Sequence, residues 1–212
     1  MDWAQTLREF VTLFVVIDPI GTVPVFLYAV AGVPAALHRR FALMGVLVAA
    51  GVLAFFLVAG QLLLEAIGLR LGAFQIAGGI VLFLFALSMI FGEAKPAREI
   101  EEASHADLSG AVFPLAMPSI ASPGAILAVV ILTDNHRHAL TDQAVTAALL
   151  ALVLAVTFLL LLLAGRIQRL IGATGASVIS RVMGLILATV AVDSVLQGLE
   201  LVGVLTLDAP RP

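Results

Sequence analysis

The chain has no cysteine, one tryptophan and one tyrosine, and charged residues make up only 12% of its 212 positions. Without cysteine it cannot form a disulfide bond, a thiolate metal site or a cysteine nucleophile. Its net charge is −3 and its sequence contains no Lys/Arg-rich run, so it offers no basic surface for nucleic acid. These absences speak against cysteine-based redox or metal chemistry and against nucleic-acid binding.

Apolar residues dominate the chain: 62% of the positions are hydrophobic and the mean hydropathy is +1.16. Such a composition predicts a protein embedded in a lipid bilayer. Crossing the hydrocarbon takes about 20 apolar residues. Six stretches meet this criterion: Phe10–Ala31, Phe41–Leu64, Leu71–Gly92, Ala111–Thr133, Ala144–Gly165 and Val182–Val204.

The distribution of Lys and Arg predicts the orientation, because positively charged loops stay on the cytoplasmic side. One side of the six spans would carry four basic residues, namely Arg8, Arg70, Arg137 and Arg211. The other side would carry seven, namely Arg39, Arg40, Lys95, Arg98, Arg166, Arg169 and Arg181. We therefore expect a multi-pass protein with both termini in the periplasm.

Two pairs of prolines have the same spacing in different halves of the chain. Pro19 and Pro24 recur as Pro118 and Pro123, an offset of 99 residues in both cases. Proline removes a backbone donor and clashes with the preceding turn, so each pair should break its helix near mid-membrane.

A second match relates the third and sixth spans, where three small residues recur with identical intervals: Gly78, Ser88 and Gly92 correspond to Gly184, Ser194 and Gly198. The single domain, residues 1–212, would then contain repeats 9–92 and 111–204, separated by a charged loop at 93–110. Because three spans are an odd number, the second repeat must enter the bilayer from the opposite side. The predicted fold is an all-α membrane protein of six helices in two inverted three-helix repeats, with the first and fourth helices broken.

The two breaks have residues suited to starting helices. Asp18-Pro19 and Ser122-Pro123-Gly124 each place a capping side chain before a proline at the first helical position. Half-helices that begin inside the membrane present N–H groups to an anion, and those that end there present carbonyl groups to a cation. A zwitterion could be bound at both ends.

Short side chains around the breaks complete this candidate site. Thr22, Ser119 and Ser122 either contact a ligand or only satisfy backbone groups, and Gly21 and Gly124 either allow close approach or only form turns. The predicted substrate-binding set is Asp18, Pro19, Gly21, Thr22, Ser119, Ser122, Pro123 and Gly124.

Two acids lie inside the spans and away from their ends, Asp18 and Asp193. An ionisable group is costly there and by default indicates function, so both are candidates for coupling transport to Na⁺ or H⁺. For Asp18 the alternative is helix capping alone, and for Asp193 it is burial in a protonated or hydrogen-bonded state.

The chain resembles the MarC family of integral membrane proteins. The similarity covers nearly the whole chain, and four segments carry it: Ile17-Asp18-Pro19-Ile20-Gly21, Ala77-Gly78-Gly79, Phe113-Pro114-Leu115-Ala116-Met117-Pro118 and Pro123-Gly124-Ala125-Ile126. The resemblance implies six transmembrane helices in the bacterial inner membrane and kinship with LysE-type exporters. At least one branch of the family is regarded as transporters of small neutral amino acids such as glycine and alanine, so the resemblance implies this substrate class for the chain.

The chain departs from the family pattern at four positions. Thr22 replaces a common asparagine, Ser122 a common glycine and Asp193 an expected glutamine, while Ser88 stands where aspartate is frequent. These differences fall where the substrate or coupling ion would be selected.

The hypothesis with most support is a secondary transporter of small zwitterionic amino acids that works by alternating access. An exporter or passive channel for another small solute is the alternative, and a membrane enzyme or structural subunit is a third. No nucleophile–base pair or metal set occurs in the spans, so we expect no catalytic residues, metal or cofactor. The expected partners are lipid and substrate. Gly68 and Gly72 form a weak signal for a homo-oligomer.

Overall fold

A computed structural model describes residues 3–91, 108–133 and 140–205. Within these ranges every regular element is helical. Apart from two short 3₁₀ helices, Ala35–Leu37 and Leu108–Ala111, eight helices follow one another: α1 Trp3–Ile17, α2 Thr22–Ala29, α3 His38–Ile67, α4 Leu71–Phe91, α5 Val112–Ile120, α6 Pro123–Leu132, α7 Leu140–Leu162 and α8 Ala164–Leu201. Residues 93–107 of the charged loop, together with Arg137 and Arg211, lie outside the described residues.

These helices supply five segments long and apolar enough to cross a membrane, or six if α5 and α6 form one span. The five are Trp3–Ala29, Ala35–Ile67, Leu71–Phe91, Thr141–Leu162 and Ser177–Leu201, and α5 and α6 meet at an angle of 48°. These five segments, together with the α5–α6 pair as the sixth, correspond one to one with the six stretches predicted from sequence. The all-helical, multi-pass membrane fold is therefore confirmed.

The first span lies at the centre of the bundle. In Trp3–Ala29, 61% of the most apolar 18-residue stretch is buried inside the protein, against 22–33% of the corresponding stretch in each of the other four segments. Leu13 and Ile17 of α1 are completely buried. By contrast, α3 and α8 expose apolar side chains such as Val58 and Leu185, as expected for helices that face lipid. The turn between α1 and α2 is therefore enclosed by protein.

Helices α4 and α8 run antiparallel and touch along their backbones at glycines. A Cβ atom on Gly79 would lie 2.9 Å from the carbonyl oxygen of Ala191, and one on Gly184 would lie 3.1 Å from that of Ala86. Such approach requires small residues, which are common where membrane helices pack. Of the glycines in the predicted repeat, Gly184 and Gly198 thus act in packing α8 against α4, while Gly78 faces Leu127 of α6 and Gly92 lies outside the described residues.

Irregular backbone is concentrated in α5, whose helical turns are interrupted by extended residues at Phe113 and Met117. Each precedes a proline, and the proline ring disfavours the helical conformation of the residue before it. Gly172 has a φ of +66° and interrupts the helical conformation of α8. The first two turns of α8 are thereby separated from the apolar segment that begins at Ser177.

Candidate functional site

The first interruption, residues 18–21, is a tight turn built around Asp18. Asp18 has φ +51°, and its Oδ1 accepts a 3.0 Å hydrogen bond from the N–H of Gly21. Its carbonyl oxygen accepts from both the N–H and the hydroxyl of Thr22, at 3.1 and 2.9 Å. Asp18 therefore satisfies donors that the chain direction change would otherwise leave buried without an acceptor.

This geometry corrects one detail of the sequence prediction. The Asp18 carboxylate accepts from a free N–H as expected, but α2 begins at Thr22 and not at Pro19, with Gly21 at the capping position. Pro19 therefore lies inside the turn. The positive φ of Asp18 explains the shift, because a helix cap normally has an extended backbone and Asp is among the few residues that tolerate the left-handed region.

Gly21 is required by the position of the Asp18 carboxylate. A Cβ atom at residue 21 would overlap Oδ2 of Asp18 and lie 2.7 Å from its Cγ. The φ and ψ angles of Gly21 are −67° and −19°, which any residue can adopt. Close approach of the carboxylate, and not backbone conformation, therefore explains the glycine.

The second interruption, residues 121–122, agrees with the prediction. Ser122 has extended backbone angles, its Oγ accepts a 3.1 Å hydrogen bond from the N–H of Ala125, and Pro123 opens α6. Pro123 lacks an N–H and Ala125 is bonded to the cap. The N–H of Gly124 belongs to the first turn of α6, where no intrahelical acceptor exists. It is available to a ligand at the positive end of the helix dipole.

The two interruptions contact each other, although they are about a hundred residues apart. The hydroxyl of Ser119 donates to Oγ1 of Thr22 at 3.4 Å, and the hydroxyl of Ser122 donates to the carbonyl oxygen of Val16 at 3.3 Å. Asp18, Thr22, Ser119 and Ser122 are each no more than 2% exposed. Pro19, Gly21 and Gly124 are buried as well, whereas the Pro123 ring is exposed. Seven of the eight predicted residues thus gather in one buried polar cluster.

Apolar side chains close one side of this cluster. A Cβ atom on Gly124 would overlap Cδ1 of Leu82 and lie 3.2 Å from a methyl group of Val16. Leu82 and Val16 therefore leave little room on the side of Gly124 where a Cβ atom would lie. Any ligand that reaches its N–H must be small, or must displace Leu82.

Asp193 does not belong to the cluster. It lies on α8, is exposed, and accepts a 2.6 Å hydrogen bond at Oδ2 from the side-chain amide of Gln197. Gln197 in turn accepts a 3.2 Å bond from Nε2 of Gln75 on α4. Sequence reasoning overlooked both glutamines. In the sequence, Gln75 nevertheless stands out as a polar amide in a span that is otherwise mostly apolar.

A buried acid near the start of α1 was also missed. Glu9 is 4% exposed, and its Oε2 accepts a 2.8 Å hydrogen bond from the hydroxyl of Thr146 on α7, which is fully buried. Glu9 precedes the first apolar stretch of the sequence, Phe10–Ala31, and was not among the predicted site residues. Glu9 therefore points into the bundle, whereas its neighbours Leu7 and Arg8 are exposed.

Comparison with known proteins agrees with this architecture. The family model described as MarC family integral membrane protein matches residues 3–202. The UPF0056 membrane protein MJ1677 of Methanocaldococcus jannaschii is 34% identical over 202 residues, covering 94% of this chain and 98% of its own. YvbG of Bacillus subtilis is 35% identical over 206 residues, covering 94% and 96%.

YhgN of Escherichia coli, named an inner membrane protein, is 33% identical over 197 residues, which covers 93% of this chain and 97% of its own. No solved structure matches. The match to the family model spans both interruptions and all six membrane segments. The chain therefore belongs to the MarC family of integral membrane proteins.

Proposed function

We propose that this protein is a secondary transporter of small neutral amino acids, similar in size to glycine or alanine. The observation that carries the proposal is the hydroxyl contact between Ser119 and Thr22, which joins two buried interruptions from different halves of the chain. Interrupted membrane helices that meet at a repeat interface are typical of substrate sites in secondary transporters.

The chemistry of the cluster suits a zwitterion. The Asp18 carboxylate is 2% exposed and could bind an ammonium group, while the N–H of Gly124 at the positive end of α6 could bind a carboxylate. A zwitterion carries a partner for each of these two groups. This complementarity favours an α-amino acid over an amine or a carboxylic acid alone.

The surrounding side chains favour a small substrate. Leu82 and Val16 pack against the face of Gly124 that a larger residue would occupy. A ligand side chain beyond a methyl group would have to displace them from a closely packed interior. We therefore expect glycine and alanine to be preferred over leucine or phenylalanine.

The transport mechanism would be alternating access between two inverted repeats, residues 9–92 and 111–204. The antiparallel packing of α4 against α8 supports this arrangement, because an axis in the membrane plane relates the third span of one repeat to the third span of the other in opposite directions. The two helices are equivalent in such a scheme, and each contributes glycines to the contact. Uptake and export are both compatible with it.

The test is exchange of radiolabelled alanine in proteoliposomes that contain the purified protein. We expect saturable uptake that is accelerated when the liposomes are preloaded with unlabelled alanine or glycine. Leucine, methylamine and acetate should compete poorly. Uptake that shows no acceleration by preloading would indicate a passive channel, and a folded protein that moves no amino acid would show that the substrate class is wrong.

Two variants locate the site within this assay. Asp18→Asn keeps the shape of the side chain but removes the charge that would bind the ammonium group. A hydrogen bond to a charged group contributes about 1.5–3 kcal/mol, so alanine affinity should fall roughly 10- to 150-fold. Glu65→Gln is the matched control, because Glu65 is an exposed acid that bonds Gln61 at the end of α3. It should leave exchange unchanged.

A further inference from the structure

A second polar site lies beside the cluster, in a cavity of about 120 Å³ bounded by α1, α4, α6 and α8. The cavity is large enough to hold several water molecules or a small ion with part of its hydration shell. Most of its lining is apolar. Its polar lining consists of Thr12, Gln75, Asp193, Ser194 and Gln197.

The hydrogen bonds along this lining have a defined direction. An ionised carboxylate only accepts hydrogen bonds. The side-chain amide of Gln197 therefore turns its NH₂ group toward Asp193. The oxygen of Gln197 must then face Gln75, which donates through Nε2. This leaves Oε1 of Gln75 turned away from Gln197, and no described residue donates a hydrogen bond to it.

Gln75 is only 2% exposed, so its free oxygen lies inside the protein and not in bulk solvent. This oxygen is not fully enclosed by protein, so a small occupant of the cavity can reach it. Since Gln75 lines the cavity, an occupant of the cavity can supply the missing partner. The amide thus presents a carbonyl oxygen to a ligand.

The other polar groups of the lining also present oxygen atoms. The hydroxyl proton of Ser194 is donated to the carbonyl oxygen of Val190 at 2.9 Å, which leaves the lone pairs of its oxygen as acceptors. Thr12 adds a second hydroxyl, and Asp193 adds a negative charge. The lining contains no Lys, Arg or His. The cavity is therefore suited to a cation and not to an anion.

We propose that this cavity is a binding site for a monovalent cation, either Na⁺ or an organic ammonium group, with Asp193 and Gln75 as its principal ligands. A single carboxylate with amide and hydroxyl oxygens matches one positive charge. Tight sites for divalent cations normally use several carboxylates, and the described residues contain no cluster of three or more acidic or histidine side chains.

The depth of Asp193 supports this assignment. It lies eight residues before the end of α8 at Leu201, about 12 Å along the helix axis. A carboxylate there is costly unless it is paired, and such residues commonly mark ion pathways. Asp193 also borders an open apolar groove formed by Phe83, Leu185 and their neighbours. It therefore stands between the internal cavity and the outer face of the bundle.

The cation site is next to the amino acid site but uses different side chains. Val16 lines the cavity, and its carbonyl oxygen accepts the hydrogen bond from Ser122. None of the five polar lining residues belongs to the cluster around Asp18. The proposal therefore depends on cation binding alone, whatever solute the protein moves.

The test measures cation binding to the purified protein in detergent, without any amino acid. Binding of ²²Na⁺ and of ¹⁴C-methylammonium would be followed by scintillation proximity, with choline chloride holding the ionic strength constant. We expect one of the two probes to bind saturably. Binding of ²²Na⁺ would identify an inorganic ion as the ligand, and binding of methylammonium alone would identify an organic ammonium group.

Asp193→Asn should weaken this binding at least tenfold while preserving the fold, because Asp193 is exposed and an asparagine oxygen can still accept from Gln197. Gln75→Leu should have a similar effect by removing the carbonyl oxygen. Glu200→Gln on α8 and Gln61→Leu on α3 are matched controls, since neither residue lines the cavity, and both should bind as the unmodified protein does.

Two results would overturn the proposal. The first is saturation by neither cation in protein that unfolds cooperatively by circular dichroism. The second is unchanged binding in folded Asp193→Asn protein, since a site without its only carboxylate cannot retain full affinity for a cation. Loss of alanine exchange in proteoliposomes has no bearing on either result, so failure of the amino acid hypothesis and failure of the cation site are distinguishable.

Discussion

Replacing Gly21 by alanine tests the structure of the first interruption directly. The new methyl group would overlap the Asp18 carboxylate, so the carboxylate must move and its 3.0 Å hydrogen bond to the N–H of residue 21 must break. Losing a buried hydrogen bond to a charged group costs about 1.5–3 kcal/mol. Alanine recovers about 0.4–1 kcal/mol, because it fits the backbone angles of −67° and −19° and restricts the unfolded chain.

The expected net loss is therefore about 0.5–2.6 kcal/mol in the free energy of unfolding. It would be measured by SDS titration in mixed micelles, followed by far-UV circular dichroism. Gly51→Ala on α3 is the matched control, because a Cβ atom there meets nothing within 4 Å. Its stability should be unchanged or slightly increased.

A double-mutant cycle assigns the loss to its cause. Asp18→Gly removes the carboxylate and still tolerates the φ of +51°. In that background Gly21→Ala should no longer destabilise, and should be neutral or stabilising by up to about 1 kcal/mol. If Gly21→Ala is equally damaging with and without the carboxylate, close approach of Asp18 is not the reason for glycine at this position.

Three further predictions use the same unfolding assay. Ser122→Ala should lower stability by about 1–2 kcal/mol, because it removes the cap of α6 and a contact to α1. Thr146→Val should cost about 1.5–3 kcal/mol by removing the donor to the buried Glu9 carboxylate, and Thr146→Ser should restore most of the loss. Gly79→Ala should cost about 1–3 kcal/mol, since its Cβ would lie 2.9 Å from a backbone oxygen of α8. An effect as small as that of Gly51→Ala at any of the three would contradict the corresponding contact.

The sequence predicted the helical framework well because membrane helices obey a strong local rule. Apolar length alone identified Leu71–Gly92, and the helix observed is Leu71–Phe91. The cap at Ser122 followed equally from local chemistry, since an extended serine before proline is a favoured helix start.

Features that depend on tertiary contact could not be predicted in the same way. The turn at Asp18 looked like a helix start, and only the position of its carboxylate over Gly21 explains the delayed beginning of α2. The spacing of Asp193 and Gln197 was compatible with a contact along one helix. Their connection to Gln75 spans 122 residues, and a single sequence carries no sign of it.

The bond between Glu9 and Thr146 has a consequence for biosynthesis. The two residues are 137 positions apart, so at about 5–20 residues per second the acceptor is made roughly 7–27 s before its donor. During that interval α1 is in the membrane or its translocon while the helix that will bond its acid does not yet exist. We expect α1 to reach its final depth in the membrane only after α7 has been inserted. The first helix to be synthesised would then be among the last to take its final position.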